Sequence, residues 1–145
     1  MKITLVAVGK VKERHVRQAI DDYLARIKHY ASFDERELED VALAKLGPLV
    51  DKHRKQALLV ALDMSGASLD SAEFSQRLGR WGSTGKGEVC FVIGGKLGLP
   101  PELLKASDFV PSLSAMPLPH RLARLILVEQ LYRGLSMLRG EPYGL

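Results

Sequence analysis

Two loops in the second half of the chain carry the residue types of a ligand-binding site. Residues 94–99 read GGKLGL directly after an apolar run, and residues 113–120 read LSAMPLPH. Paired glycines let a backbone turn sharply or approach a ligand without a Cβ clash, and two prolines make a stiff extended segment. His120, at the end of the second segment, could face a cavity there. Because ligands in open α/β sheets bind beyond the carboxyl ends of the strands, the two loops predict one shared pocket.

Neither loop specifies its ligand by spacing alone. A dinucleotide-binding fingerprint would need a glycine at Ile93, and a phosphate loop would end in Gly-Lys followed by Ser or Thr. Taken alone, the glycine loop is therefore explained by a tight turn after a strand. His120 could likewise cap a helix or pack against the core instead of facing a cavity.

The rest of the sequence predicts the scaffold that would hold these loops. Apolar runs predict strands at 3–8, 58–62 and 89–93, a weaker strand at 109–111 and a charged edge strand at 33–41. Helical patterns lie between these runs. The alternation predicts a single α/β domain with a parallel sheet.

The helical patterns have recognisable ends. One helix is expected over 13–30, and a short one is expected after Pro48, through residue 55. Asp70 with Glu73 resembles a capping box for a third helix, which the glycine-rich segment 82–87 should end.

The last predicted helix, 121–139, is apolar on more than one side. A helix of this kind must be buried on two surfaces. In so small a domain, the second surface could be covered by a partner subunit.

Composition indicates one soluble globular domain. The chain has 145 residues, of which 46% are hydrophobic, and its apolar runs are far shorter than the roughly 20 residues of a membrane helix. We expect no membrane association and no targeting segment. The single cysteine, Cys90, excludes an internal disulfide and favours a reducing cytoplasm. Its apolar neighbours predict a buried side chain rather than a nucleophile.

The net charge of +4 modestly favours an anionic partner. A basic cluster follows the first strand and comprises Lys10, Lys12, Arg14, His15 and Arg17. An acidic stretch follows the first helix and comprises Asp34, Glu35, Glu37, Glu39 and Asp40. Either group could simply be a solvated face, and for the acidic stretch that interpretation is favoured.

Several of these motifs, in this order, resemble the RlmH family of bacterial large-subunit rRNA methyltransferases. The resemblance covers essentially the whole chain. The matching segments are LVAVGK at 5–10, GGKLGL at 94–99, LSAMPLPH at 113–120, EQLYR at 129–133 and EPY at 141–143.

The resemblance implies an α/β fold of the SPOUT type with a C-terminal trefoil knot, in a homodimer that binds S-adenosylmethionine. It also implies methylation of N3 of a pseudouridine in helix 69 of 23S rRNA, on the assembled ribosome in the cytoplasm. Without the resemblance, an ordinary unknotted, doubly wound sheet would be expected.

Site residues carry over by matching position. His120 and Tyr143 would take or relay the N3 proton or position the base, and Arg133 would stabilise the developing oxyanion. Asp63 could bind a ribose hydroxyl or cap a neighbouring turn. The residues expected around the cofactor are Leu62, Asp63, Gly95, Ser114, Ala115, Met116, Pro117, Leu118 and Pro119.

The chain departs from the family pattern at its end. Many members end in Tyr-His and a basic residue, whereas Tyr143 is followed here by Gly144 and Leu145. Two interpretations remain open. In the first, the protein is a methyltransferase in which one subunit holds the cofactor and the other helps to grip the RNA. In the second, it is a non-catalytic ribosome-binding or RNA-binding protein with the same fold. Methylation of another RNA or of a small molecule is disfavoured by the resemblance alone.

Overall fold

A computed structural model describes residues 1–39, 43–83 and 87–143. Strands and helices alternate along the chain, as predicted. They are β1 (Lys2–Val8), α1 (Arg14–Ile27), β2 (Ser32–Leu38), α2 (Leu43–Arg54), β3 (Leu58–Leu62), β4 (Ala67–Ser68), α3 (Ser71–Ser83), β5 (Glu88–Ile93), α4 (Pro101–Ala106), β6 (Pro111–Ser112) and α5 (His120–Leu138).

The main sheet has the strand order β2-β1-β5-β3, and every pairing in it is parallel. All carboxyl ends of its strands therefore lie at one edge of the sheet. The central strand β5 is buried along its whole length, as expected for a strand covered on both faces. β2 is the charged edge strand that the sequence predicts. Residues 40 and 41 of that prediction lie outside the described residues.

Helices cover both faces of the sheet. Alternating side chains such as Ile3 and Leu5 point to the larger core beneath α1, α3 and α5. Val6, Cys90 and Val92 point to the smaller core beneath α2. Burial raises the pKa of the Cys90 thiol to about 12. Cys90 is thus a protonated core side chain, which confirms the prediction.

The start of α2 corrects one prediction, and the two ends of α3 agree with theirs. α2 begins at residue 43 and contains Pro48, although a helix was expected only after this proline. Burial explains the difference, because Leu46 before the proline and Val50 after it both pack against the sheet. α3 ends at Ser83, within the glycine-rich segment 82–87 that was expected to end it. Its start is as predicted, since the Glu73 amide donates to Asp70 Oδ1 at 2.8 Å.

The weak strand predicted at 109–111 is only partly formed. Phe109 makes an isolated parallel bridge with Val60, and the two-residue strand β6 pairs with β4. Asp108 anchors this segment by accepting the Leu59 amide at 2.7 Å. The segment therefore runs beside β3 and delivers residues 113–119 to the carboxyl end of that strand. In the described part of the chain, no helix is long and apolar enough to cross a membrane.

Candidate active site

A pocket of about 540 Å³ lies at the carboxyl ends of β3 and β5, against the first turn of α5. Both loops singled out in the sequence line it, so the prediction of one shared pocket is confirmed. Its lining residues are Leu62, Asp63, Met64, Ile93, Gly94, Gly95, Lys96, Gly98, Leu113, Ser114, Met116, Pro117, Leu118, Pro119, His120, Arg121 and Ala123. Of the positions expected around a cofactor, Ala115 alone is not among them, and its side chain is exposed.

The glycine loop is a tight turn as well as a pocket wall. The Gly98 amide donates to the Gly95 carbonyl at 3.1 Å, and Gly98 has φ +70°. A Cβ on Gly94 would lie 2.6 Å from the carbonyl carbon of Gly98. The turn therefore excludes a side chain at Gly94, a residue that the sequence-based assignment omitted.

Asp63 caps a turn at the end of β3. Its Oδ2 atom accepts the Ser65 amide at 3.0 Å and also the Ser65 hydroxyl. The Asp63 amide donates to the Pro111 carbonyl at 3.2 Å, which ties this turn to β6, directly before the proline-rich loop 113–119. The turn-capping role considered for Asp63 is thus observed.

The proline-rich loop is braced from within. Ser114 Oγ accepts the Met116 amide at 3.0 Å, and the Ser114 carbonyl accepts the Ser112 hydroxyl at 3.0 Å. Pro119 is the N-cap residue of α5, and its carbonyl accepts the Leu122 amide at 3.0 Å. His120 is therefore not the capping residue. It is half-buried and lines the pocket.

Arg133 and Tyr143 lie far from this pocket within the chain. His120 and Arg133 are separated by thirteen positions on α5, which corresponds to about 20 Å at 1.5 Å per residue. Neither Arg133 nor Tyr143 is among the pocket's lining residues. The three residues predicted to be catalytic therefore do not meet within this chain.

Around the far end of α5, all four tyrosines of the chain form what we call the tyrosine cluster: Tyr23, Tyr30, Tyr132 and Tyr143. The ring centroids of Tyr132 and Tyr143 are 4.5 Å apart. The Tyr143 hydroxyl donates to Glu129 Oε1 at 3.0 Å and lies 3.4 Å from the Tyr23 hydroxyl. Burial and these hydrogen bonds raise the pKa of Tyr143 well above its usual value, so this phenol is protonated at neutral pH.

Glu129 joins Arg133 to this cluster. Its Oε1 atom accepts Arg133 Nη2 at 2.6 Å and Nε at 3.1 Å. These hydrogen bonds raise the pKa of Arg133. Sequence reasoning assigned no role to Glu129, although its spacing of four residues from Arg133 on a helix is the signal that would have found it.

The charge groups read from the sequence are only partly surface features. Lys10, Lys12, Arg14 and His15 are exposed. Arg17 instead binds Glu35 at 2.8 Å and Glu37 at 3.4 Å. Only 16% of the Glu35 side chain and 24% of the Glu37 side chain are exposed. The interpretation of the acidic stretch as a solvated face is therefore wrong for these two carboxylates.

Known methyltransferases are similar to this chain in sequence and in fold. A family model described as "Predicted SPOUT methyltransferase" matches residues 1–144. Two relatives are named "Ribosomal RNA large subunit methyltransferase H". The one from Sorangium cellulosum is 48% identical over 143 residues, and the one from Acetivibrio thermocellus is 40% identical over 157. Each alignment covers 99% of this chain and 99% of the relative.

Solved structures agree on the fold. A probable methyltransferase from Bordetella pertussis superposes with a TM-score of 0.59 at 14% identity, covering 92% of this chain and 93% of that one. The methyltransferase AviRb from Streptomyces viridochromogenes, solved in complex with AdoMet, has a TM-score of 0.53 at 13% identity and covers 96% and 58%. The chain belongs to the SPOUT methyltransferase family and, within it, to the group named ribosomal RNA large subunit methyltransferase H, as its sequence motifs predicted.

Proposed function

We propose that this protein transfers a methyl group from S-adenosylmethionine to N3 of a pseudouridine in helix 69 of 23S rRNA, on the assembled ribosome in the cytoplasm. The observation that carries the proposal is the pocket shared by the two loops, in a chain 48% identical over its full length to a named large-subunit rRNA methyltransferase. The fold is expected to include the C-terminal trefoil knot of its family.

The pocket suits a cofactor of this size and chemistry. Its volume lies within the roughly 300–1,000 Å³ typical of small-molecule sites, and its walls are largely loop backbone and apolar side chains. Leu62, Asp63, Gly95, Ser114 and residues 116–119 would hold the cofactor. When bound, S-adenosylmethionine supplies an electrophilic methyl group. The protein must then mainly orient the acceptor base, an effect worth about 7–11 kcal/mol in well-aligned reactions.

His120 is the best placed proton acceptor for N3. It is half-buried at the pocket and is held by the first turn of α5. Tyr143 is unsuited to that role because its raised pKa keeps the phenol protonated. Tyr143 would instead donate or orient a hydrogen bond, while Arg133 would stabilise negative charge on a carbonyl oxygen of the base.

The separation of these groups supports a homodimer with composite sites. About 20 Å of helix lies between His120 and Arg133, so one base can meet both only if they come from different subunits. α5 also leaves Leu122, Met137 and Leu138 between 37% and 46% exposed. These apolar side chains are suited to further burial against a second copy.

The function is tested by labelled methyl transfer. Ribosomes from cells lacking this protein are incubated with the protein and S-adenosylmethionine, and the modified nucleotide is mapped by mass spectrometry. Label on a pseudouridine of large-subunit rRNA is expected. Ribosome and cofactor binding without transfer would instead support the non-catalytic alternative, and would point to the Gly144-Leu145 ending as the cause.

A further inference from the structure

Arg124 is a buried charge that the proposed chemistry does not use. Only 2% of its side chain is exposed, on the inward face of α5. Nη2 donates to Glu35 at 3.0 Å and also to Glu37, whereas Nη1 donates to the backbone carbonyl of Gly9 at 3.1 Å. Because an unpaired buried guanidinium is strongly destabilising, the two carboxylates account for its charge. They do not account for the contact with Gly9.

The backbone contacts of this network surround one exposed lysine. Arg124 holds the Gly9 carbonyl, and Glu37 Oε2 accepts the Val11 amide at 3.4 Å. Lys10 lies between these two anchored residues, and its side chain is exposed. The loop after β1 is thus fixed immediately before and after Lys10, although the lysine itself points to solvent.

The loop that carries Lys10 leaves the sheet at the same edge as the pocket. β1 pairs with β5 so that Ala7 lies opposite Ile93, and the pocket residues Gly94 and Gly95 follow Ile93 directly. Neighbouring strands are about 4.8 Å apart. The loop carrying Lys10 therefore leaves the sheet one strand away from the glycine loop. Arg124 lies one helical turn after His120, so the same guanidinium links this loop to the pocket wall.

We propose that Lys10 contacts a phosphate of the RNA substrate, and that Arg124 with Glu37 is the positioning device that fixes this cation relative to the pocket. The proposal rests on the proposed function for its RNA substrate. A lysine on a flexible loop would increase the affinity for RNA but would not fix the position of the RNA strand relative to the pocket. A lysine on an anchored loop also sets where the RNA strand lies, so the target base is delivered to the pocket at a defined distance.

The first test measures the salt dependence of ribosome affinity by co-sedimentation. Lys10→Ala should weaken binding and lower the slope of log K against log salt by about 1, as expected for one lost phosphate contact. Lys55→Ala is the matched control, because this exposed lysine precedes the amino end of β3 at the opposite edge of the sheet. Equal slopes for the two variants would overturn the proposal.

The second test is a double-mutant cycle with Arg124→Lys, which keeps the charge but replaces the two Nη atoms by a single ammonium nitrogen that cannot reach Gly9 and the carboxylates in the same way. If Arg124 acts by fixing Lys10, Arg124→Lys should show a similar loss of slope, and adding Lys10→Ala should cause little further loss. Affinity for S-adenosylmethionine should change less than about twofold. Additive losses would contradict the positioning role.

If circular dichroism shows that Arg124→Lys is unfolded, Glu37→Gln replaces it in the cycle, because Glu35 still faces Arg124 in that variant. Ribosome binding is measured without turnover. A wild-type protein that binds ribosomes but transfers no methyl group would therefore sink the proposed function while leaving the role of Lys10 testable. If the wild-type protein methylates ribosomes but Lys10→Ala binds them as tightly as the wild type does, the proposed function stands and the role of Lys10 is overturned.

Discussion

The two ends of α5 are built in different ways. At its first turn, loop backbone shapes the pocket. The constraints there are Gly94, which has no room for a side chain, and prolines, which have no amide donor. At its far end, contacts between side chains define the region. Glu129 accepts hydrogen bonds from Arg133 and Tyr143 beside four tyrosine rings. The first region suits holding a ligand by shape, and the second suits presenting charge and hydrogen-bond donors. A methyltransferase needs both, and in this chain they lie about 20 Å apart.

Substitutions at the pocket end of α5, which is shaped by loop backbone, should have the largest effect on activity. In Gly94→Ala the new Cβ would lie 2.6 Å from the Gly98 carbonyl carbon, so the glycine loop must shift. Displacement of a binding group by about 1 Å can cost roughly 100-fold in rate, and we expect a loss of at least that size in methyl transfer. Isothermal titration should show S-adenosylmethionine affinity falling in parallel.

Gly47→Ala is the control for Gly94→Ala. Gly47 lies in α2, and nothing comes within 4 Å of a Cβ built there. Alanine in a helix interior is favoured over glycine by about 0.5–1 kcal/mol, so this variant should be slightly stabilised and fully active. Equal activity of the two alanine variants would refute the role assigned to the glycine loop.

Substitutions at the far end of α5 should lower activity but leave cofactor binding unchanged. Glu129→Gln replaces the carboxylate that orients Arg133 and Tyr143 with a neutral amide, which is a weaker hydrogen-bond acceptor. We expect kcat to fall about 10-fold, with S-adenosylmethionine affinity unchanged. The loss should be smaller than the roughly 100- to 1,000-fold cost of removing a transition-state hydrogen-bond donor, because Arg133 and Tyr143 are displaced and not removed. Glu102→Gln on α4 is an exposed acidic control. A loss of cofactor affinity in Glu129→Gln would mean that the two ends are not separate.

The smallest effect should be the pH dependence of stability. The folded state raises the pKa of Tyr143 above its usual 10.0, so it favours the protonated phenol. The resulting stabilisation is present below pH 10 and is lost as the pH rises towards the folded-state value. Urea unfolding between pH 8 and pH 11 should show wild type losing more stability than Tyr143→Phe. Parallel curves would contradict the raised pKa.

The sequence predicted the backbone-built region better than the side-chain-built one. The strands before the pocket are uninterrupted apolar runs, and Gly and Pro mark their loops directly, so local pattern was sufficient. The predicted start of α2 after Pro48 was wrong, because the burial of Leu46 extends the helix across this proline. That burial is a tertiary effect, which local pattern does not show. Arg124 gave no local signal either, because its partners Glu35 and Glu37 are 89 and 87 residues away in sequence. The positions of Arg133 and Tyr143 relative to the pocket likewise depended on how far the helix extends.

A purified heterodimer decides whether His120 and Arg133 serve one site from different subunits. One subunit carries His120→Ala and the other Arg133→Ala, with different affinity tags, and both homodimeric variants are expected to be nearly inactive. If the sites are composite, one of the two sites in the heterodimer is intact, so it should methylate ribosomes at about half the wild-type rate. A heterodimer as inactive as its parents would place both residues in the same subunit's site and contradict the account.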